Sequence, residues 1–433
     1  MQKQIPASMK TLIEEVKTTF THDQKVQQLF ENCFSNTYET TIRPQEDGTT
    51  FVITGDIPAM WLRDSAAQVR PYLLLAEQDE EIACLIEGVI QKQVSFINHD
   101  PYANAFNEAA NGKRYHDDKT EMTPLIWERK YEIDSLCYPI QLAYLFWKST
   151  GRTSHFDEPF KEAMLTVIKT WKTEQNHQKD SKYRFERDNC PPQDTLSHAG
   201  YGAPVSYTGM TWSGFRPSDD ACKYGYLIPS NMFAVVVLRQ LAEIASVVLT
   251  DKVLEKTAMA LAEEIDEGIQ TFGKVEHPDF GTIYAYETDG LGNYNLMDDA
   301  NVPSLLALPY LGYCTTDDPI YQNTRKFILS EANPYYFQGK VAKGIGSPHT
   351  PEYYIWHISL AIQGMTAPTD EEKKAILQLF QQTDADTNFM HEGFHVDNPE
   401  HFTRPWFSWA NSMFSEFLLS QCNRVVKGSA LAE

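Results

Sequence analysis

Residues 23–38 read DQKVQQLFENCFSNTY, an amphipathic segment with apolar residues three and four apart and polar residues between them. Its place ahead of all similar segments decides the fold. Downstream, six mostly apolar helices begin near Asp64, Asp134, Ser230, Pro303, Glu352 and Pro405; SLCYPIQLAYLFW and NMFAVVVLRQLAEIASVV are typical. A helix that is apolar nearly all round is buried on more than one side. Five amphipathic helices follow these inner ones, among them DEEIACLIEGVIQKQVSFI, FDEPFKEAMLTVIKTWKTE and DKVLEKTAMALAEEIDEGI. Six inner helices and five outer ones leave a ring open. Residues 23–38 supply the sixth outer helix, which can pack beside the last inner one and close it.

An open α-solenoid would have shorter and more uniform repeats, whereas here they run roughly 50 to 90 residues with long, dissimilar loops. The expected fold class is therefore all-α, an (α/α)6 barrel (toroid) of six inner and six outer helices, as a single catalytic domain over residues 1–433. Pro71, Pro139, Pro229 and Pro309 fall in or at the start of inner helices. An interior proline bends a helix, whereas one in the first turn costs nothing.

Bulk composition narrows the function. Thirty-seven basic against 59 acidic side chains give a net charge of −22, which disfavours nucleic acid or an anionic membrane as partner. Seven cysteines are scattered singly, without zinc spacing and in odd number, which predicts thiols in a reducing compartment. The N-terminal residues lack the apolar core of a signal peptide, and no run is apolar for long enough to span a bilayer. A cytoplasmic protein is expected.

In such a ring the loops before the inner helices emerge on one face. They read GDIPAMWLRD, IWERKYEID, WSGFRPSDDA, LMDDANVPS, GSPHTPEYY and FMHEGFHVDN with HFTRPW. Nearly every one supplies a carboxylate, and most add an aromatic or a cation. The opposite connections are short and lack tryptophan. Carboxylates grip paired hydroxyls, aromatic rings stack on a pyranose face, and two carboxyls flanking a glycosidic bond serve as acid and base. Asp64, Asp134 and Asp219 also read as helix N-caps, a position that favours aspartate.

The strings TGDIPAMWLRDSAAQVRPY, WERKYEIDSLCYPIQLAY, GFRPSDDACKYGYLIPSNMF, DDANVPSLLALPY and HEGFHVDNPEHFTRPWFSWANSMFSEF carry a resemblance. The chain from about residue 10 to 425 resembles glycoside hydrolase family 125, exo-α-1,6-mannosidases on an (α/α)6 barrel that invert at the anomeric carbon without a metal. The resemblance implies removal of a terminal α-1,6-linked mannose, no cofactor, and a mannose-containing oligosaccharide as partner. It implies a general acid within RPSDDA, at Asp219 or Asp220 with Asp219 favoured, and a general base at Glu392. Neither nucleic acid, membrane nor obligate protein partner is expected.

Substrate contacts are expected from Asp56, Trp61, Arg63 and Asp64 in the first loop and from Trp127, Glu128 and Asp134 in the second. Trp212 and Arg216 are candidates in the third, Asp299 and Asn301 in the fourth, and His349 in the fifth. The last loop offers His395, Arg404 and Trp406. The acid must be protonated near neutral pH, so its pKa should be raised by burial or by neighbouring carboxylates. An inverting site leaves roughly 6.5–9.5 Å between the two carboxyls for water.

Other readings compete. Residues 391–395, HEGFH, match H-E-x-x-H as letters, but the glycine and turn-like flanks do not make the helix a zinc protease needs. The Asp pairs at 219–220 and 298–299 do not complete the DDxxD of magnesium-dependent isoprenoid enzymes. A sugar phosphorylase or epimerase on the same toroid, or a non-catalytic glycan-binding protein, remains as the alternative.

Overall fold

The computed structural model describes residues 4–432. The inner helices are Leu62–Val69, Ile133–Thr150, Ile228–Val247, Leu308–Leu311, His357–Met365 and Ser408–Gln421. The outer ones are Glu80–His99, Glu158–Gln175, Lys252–Phe272, Pro319–Ile328, Asp370–Thr383 and, at the start of the chain, Gln24–Asn36. Gln24–Asn36 packs on Ser408–Gln421, which itself packs on Leu62–Val69, so the ring closes where the sequence predicted. A further helix, Ala7–Thr19, lies against Gln24–Asn36.

Burial follows the sequence pattern. Every residue from Ile133 to Phe146 and from Ser408 to Leu419 is buried, as inner helices require. Helix Lys252–Phe272 instead buries one stripe, Leu254, Ala258, Leu261, Ala262, Ile265 and Ile269, against Ile228–Val247. Each such Leu or Ile contributes about 1.5–3 kcal/mol when removed from water. Ile228–Val247 is long and apolar enough to cross a membrane by composition, yet its apolar length is consumed by packing in the ring.

The two sets of helices start differently. All six outer helices are capped by a side chain: Asp23, Asp79, Asp157, Asp251 and Asp318 accept from first-turn N–H groups, as does Thr369. Each cap adds about 1 kcal/mol. None of the inner helices has a side-chain cap bond. Several are entered directly from a short strand instead, such as Met60–Trp61, Tyr226–Leu227 and Tyr354–Trp356. This corrects the expected caps: Trp61 and Glu132 hold the cap positions, Asp64 and Asp134 lie in the first turn, and Asp219 lies on a separate turn.

Two boundaries also differ from expectation. The fourth inner helix is a single turn at Leu308–Leu311, because the Asp298 carboxylate takes the N–H groups of Leu305 and Leu306 at 2.8 and 3.0 Å. The fifth starts at His357, because Tyr354–Trp356 pairs as an antiparallel strand with Gly393–His395. Of the four prolines, Pro139 alone sits inside a helix; Pro229 and Pro309 occupy first turns, and Pro71 lies where the first inner helix tightens to a 3-10 turn. The rim strands tie neighbouring loops together, for example Trp61 to Ala105 and Ala105 to Glu128.

Candidate active site

The loops ahead of the inner helices meet at a cavity of about 160 Å³. The first loop and helix contribute Thr54, Trp61, Arg63 and Asp64 to its wall, and the third loop Pro217, Ser218 and Asp219. Asn301, His349 and Trp356 come from the fourth and fifth. Glu392, Arg404, Phe407 and Trp409 complete it from the last.

The pair Asp219–Asp220 is separated by a turn. Asp219 N–H donates to Arg216 O at 2.9 Å, and Arg216 N–H donates to Asp220 O at 2.8 Å, with Pro217 at the corner. Proline suits that position, and aspartate tolerates the left-handed φ of +66° found at Asp219. The result sends the two carboxyls apart. Asp219 stands on the cavity wall, whereas Asp220 is 1 % exposed and receives His349 Nδ1 at 3.0 Å.

Arg63 organises the acidic side of the cavity. Its Nη1 donates to Glu132 Oε2 at 2.6 Å and to Asp134 Oδ2 at 3.3 Å, and its Nη2 donates to Asp219 Oδ1 at 3.2 Å. Its Nε is 3.6 Å from Asp64. Below it Asn104 Nδ2 reaches Glu132, Asp219 and Glu128 at 3.4, 3.3 and 3.1 Å. Lys130 Nζ donates to the main-chain oxygen of Asp219 at 2.7 Å.

One guanidinium does not neutralise so many buried carboxyls. Burial raises Asp64 to about 6 against the pull of Arg63 and Arg404, and raises Asp134 to about 6 against Arg63. Burial also pushes Glu132 well up, with Asp219 and Asp134 adding to it and Arg63 opposing. Burial pushes Asp219 the same way, but Arg63, a hydrogen bond with Glu132, Lys130 and His349 outweigh it and hold this carboxyl below its ordinary range. At Asp219 the expected rise is not found and Glu132 carries it instead, because Lys130 and His349 add their charge to that of Arg63 at Asp219.

Across the cavity Glu392 Oε2 accepts from Thr403 Oγ1 at 3.0 Å, and Oε1 lies 3.6 Å from Arg404 Nη1. Arg404 is held in turn by Asp56, whose carboxylate takes its Nε at 3.1 Å. Burial lowers the His349 pKa, but the Asp220 hydrogen bond and charge outweigh it and bring His349 to about 9. It therefore stands in the cavity as a cation at neutral pH.

Seven predicted residues, Trp61, Arg63, Asp64, Asn301, His349, Arg404 and Glu392, line the cavity with Asp219. Others lie behind it. Asp134 is fully buried against Arg63, Glu128 bonds Arg187 at 2.8 Å, and Arg216 bonds Glu287 at 2.6 Å. Asp299 accepts from Asn301 Nδ2 at 3.0 Å and so orients it, while Asp56 orients Arg404.

Three tryptophans and a histidine stand elsewhere. Trp212 is 1 % exposed and stacked on His177 at 3.5 Å, so it is a core residue and not a sugar platform. Trp127 packs with Trp61 and edge-on to Tyr115. Trp406 accepts the Asp56 N–H through its carbonyl, and His395 packs against Tyr354. Beside Trp61, the aromatic walls are Trp356, Phe407 and Trp409, with the Arg63 guanidinium 5.5 Å from the Trp409 ring centre. These three, and Glu132, were missed. The letters IWH, WFSW and YEID carried them, but nothing local separates a wall residue from a core one.

His391 and His395 do not converge as the H-E-x-x-H letters would need. His391 stacks on Phe402 at 3.8 Å, while His395 lies in strand Gly393–His395. Among the described residues no three His, Cys, Asp or Glu side chains are grouped to hold a metal ion.

Comparison with known proteins then bears on this site. The family described as metal-independent alpha-mannosidase (GH125) matches residues 23–419. A Schizosaccharomyces pombe (strain 972 / ATCC 24843) protein, the meiotically up-regulated gene 157 protein, is 42% identical over 439 residues, covering 96% of this chain and 86% of its own length. A Streptococcus pneumoniae metal-independent alpha mannosidase, solved in a non-productive complex with alpha-1,6-mannobiose, superposes with a TM-score of 0.95 at 49% identity, over 97% of this chain and 99% of that one. A structure known as a wild-type glycosidase shares the fold at a TM-score of 0.55 and 11% identity, over 93% of this chain and 98% of that one.

Proposed function

The chain belongs to the GH125 family of metal-independent α-mannosidases, and on that premise we propose that it removes terminal α-1,6-linked mannose with inversion, Asp219 acting as general acid and Glu392 as general base. The observation that carries this reading is that Asp219 and Glu392 share the wall of one cavity. The α-1,6-mannobiose held by the S. pneumoniae relative supports the linkage. At about 160 Å³ the cavity is smaller than the roughly 300–1,000 Å³ that takes a drug-sized ligand, which supports one terminal sugar and exo action.

The chemistry follows from the side chains. Asp219 gives a proton to the glycosidic oxygen as the C1–O bond breaks. Glu392, oriented by Thr403 and Arg404, takes a proton from a water that attacks C1 on the opposite face. An α-linkage then yields β-mannose. Arg63 and Asp64 offer a donor and an acceptor to the sugar hydroxyls, and Trp409, Trp356 and Phe407 offer the apolar faces. A mannose-containing oligosaccharide is the substrate, no protein partner is required, and one catalytic domain carries the activity. A cytoplasmic location suits the seven unpaired cysteines.

The test is Glu392→Gln, which preserves shape and removes the base. Hydrolysis of α-1,6-mannobiose is expected to fall by about 10²–10⁴-fold or more while calorimetric binding of the disaccharide persists. Near-normal turnover would remove Glu392 from the mechanism.

A further inference from the structure

The proposed acid has an unusual setting. Arg63 Nη2, Lys130 Nζ and the cationic His349 all face Asp219, and Asp64 and Asp134 are its acidic neighbours. Three cations favour a carboxylate there, whereas a general acid has to carry a proton. A neighbour able to hold one is Glu132, whose carboxyl is fully buried and shares both the Arg63 guanidinium and the Asn104 amide with that of Asp219.

The contacts of Glu132 sort its two oxygens. Oε2 is already taken by Arg63 Nη1 at 2.6 Å and by Ser135 Oγ at 2.7 Å. Oε1 has the long approach of Asn104 Nδ2 at 3.4 Å, which leaves it room to carry a proton, and that same amide reaches Asp219 Oδ1 at 3.3 Å. Asp134 and the Cys222 thiol are the further titratable groups near Glu132. Burial and the adjacent carboxylates favour the neutral form of Glu132 against the pull of Arg63. Two carboxyls held by the same guanidinium and the same amide share a single proton between them.

Resting on Asp219 as the acid, we infer that Glu132 is the positioning partner that stores the catalytic proton and passes it to Asp219. The O–H bond of Glu132 breaks as an O–H bond forms on Asp219. Asp219 then yields that proton to the glycosidic oxygen, which keeps the electron pair of the breaking C1–O bond and departs as an alcohol. Glu132 is left ionised beside Arg63. It regains a proton from solvent through Asp219 once the sugar has left, while Glu392 returns to solvent the proton it took from water. Glu132 does not line the cavity and touches no substrate in this scheme.

The test compares Glu132→Gln with wild type on two substrates, α-1,6-mannobiose, whose leaving group must be protonated, and 2,4-dinitrophenyl α-mannoside, whose leaving group need not be. For E132Q the expected result is a kcat loss of about 10²-fold or more on mannobiose and under about threefold on the activated mannoside, with KM little changed. The high-pH limb of its mannobiose profile is expected about one pH unit or more lower, because Asp219 alone beside Arg63 releases its proton sooner. Equal losses on both substrates would mark Glu132 as merely structural and overturn the inference. Asp219→Asn runs alongside: a leaving-group split in D219N but not in E132Q sinks Glu132 alone, and no split in D219N sinks the acid assignment with it. Should E132Q not fold, wild-type enzyme labelled with ¹³C at glutamate carboxyls gives the answer. One glutamate still protonated at pH 7 is expected, and none would refute the proposal.

Discussion

Replacing Arg63 by methionine keeps an unbranched stem of four atoms and removes the cation that touches Glu132, Asp134, Asp219 and Asp64. Arg63 is 3 % exposed, so its ion pairs are little screened by solvent. Breaking a buried ion pair from one side costs about 3–5 kcal/mol. A chain of 433 residues has an unfolding entropy of about 0.9 kcal/mol/K, so that cost is a fall in Tm of roughly 3–6 °C. The loss should depend on pH, and its sign is fixed. Asp64 and Asp134 have folded pKa values near 6, above their unfolded values, so each weakens the fold progressively as pH rises from about 4 through 6. Without Arg63 both rise further, and each added unit costs about 1.4 kcal/mol that is felt only above that window. Melting curves of wild type and R63M at pH 5 and pH 8 should therefore show the larger gap at pH 8, by at least about 1.5 °C for one added unit. An equal gap at both pH values, or a larger one at pH 5, would refute the claim that these carboxyls depend on Arg63.

Two further outcomes probe the frame of the site. A Cβ added at Gly225 would lie 2.1 Å from the Trp212 ring, which cannot retreat because it is stacked on His177 at 3.5 Å, so Gly225→Ala should lower Tm by about 1–3 °C in calorimetry through overpacking. Dialysis against a chelator should leave kcat for α-1,6-mannobiose unchanged, in keeping with a family described as metal-independent, and a loss restored by added metal would contradict the proton-transfer scheme.

The ring was legible because period and burial agree: Leu254, Ala258, Leu261 and Ile265 form a single stripe, and Ile133 to Phe146 form none. The closing role of residues 23–38 followed from counting, since an even toroid needs as many outer helices as inner ones. The short strands at the rim escaped notice because two or three residues carry no readable alternation, and Trp61 pairs with Ala105 over a long excursion. Asp64 and Asp134 resembled caps by residue type, but aspartate caps the outer helices here, where no cavity competes for the carboxyl.

The tryptophans show the limit most clearly. Trp212 sits in a polar loop and Trp409 in the first turn of an inner helix that looks like core, yet Trp212 fills a slot beside Gly202, Gly214 and Gly225, and Trp409 faces the cavity. That distinction depends on packing between distant loops. Likewise Glu128, Glu132 and Asp134 lie along one segment, and only the fold sends Glu132 and Asp134 to Arg63 and Glu128 to Arg187.

The most direct measurement is the anomer first released from α-1,6-mannobiose by wild-type enzyme in phosphate-free buffer, followed by proton NMR before mutarotation. β-Mannose appearing first is the predicted result, since Asp219 and Glu392 act on opposite faces of the bond. α-Mannose appearing first, or no product until phosphate is added, would contradict it.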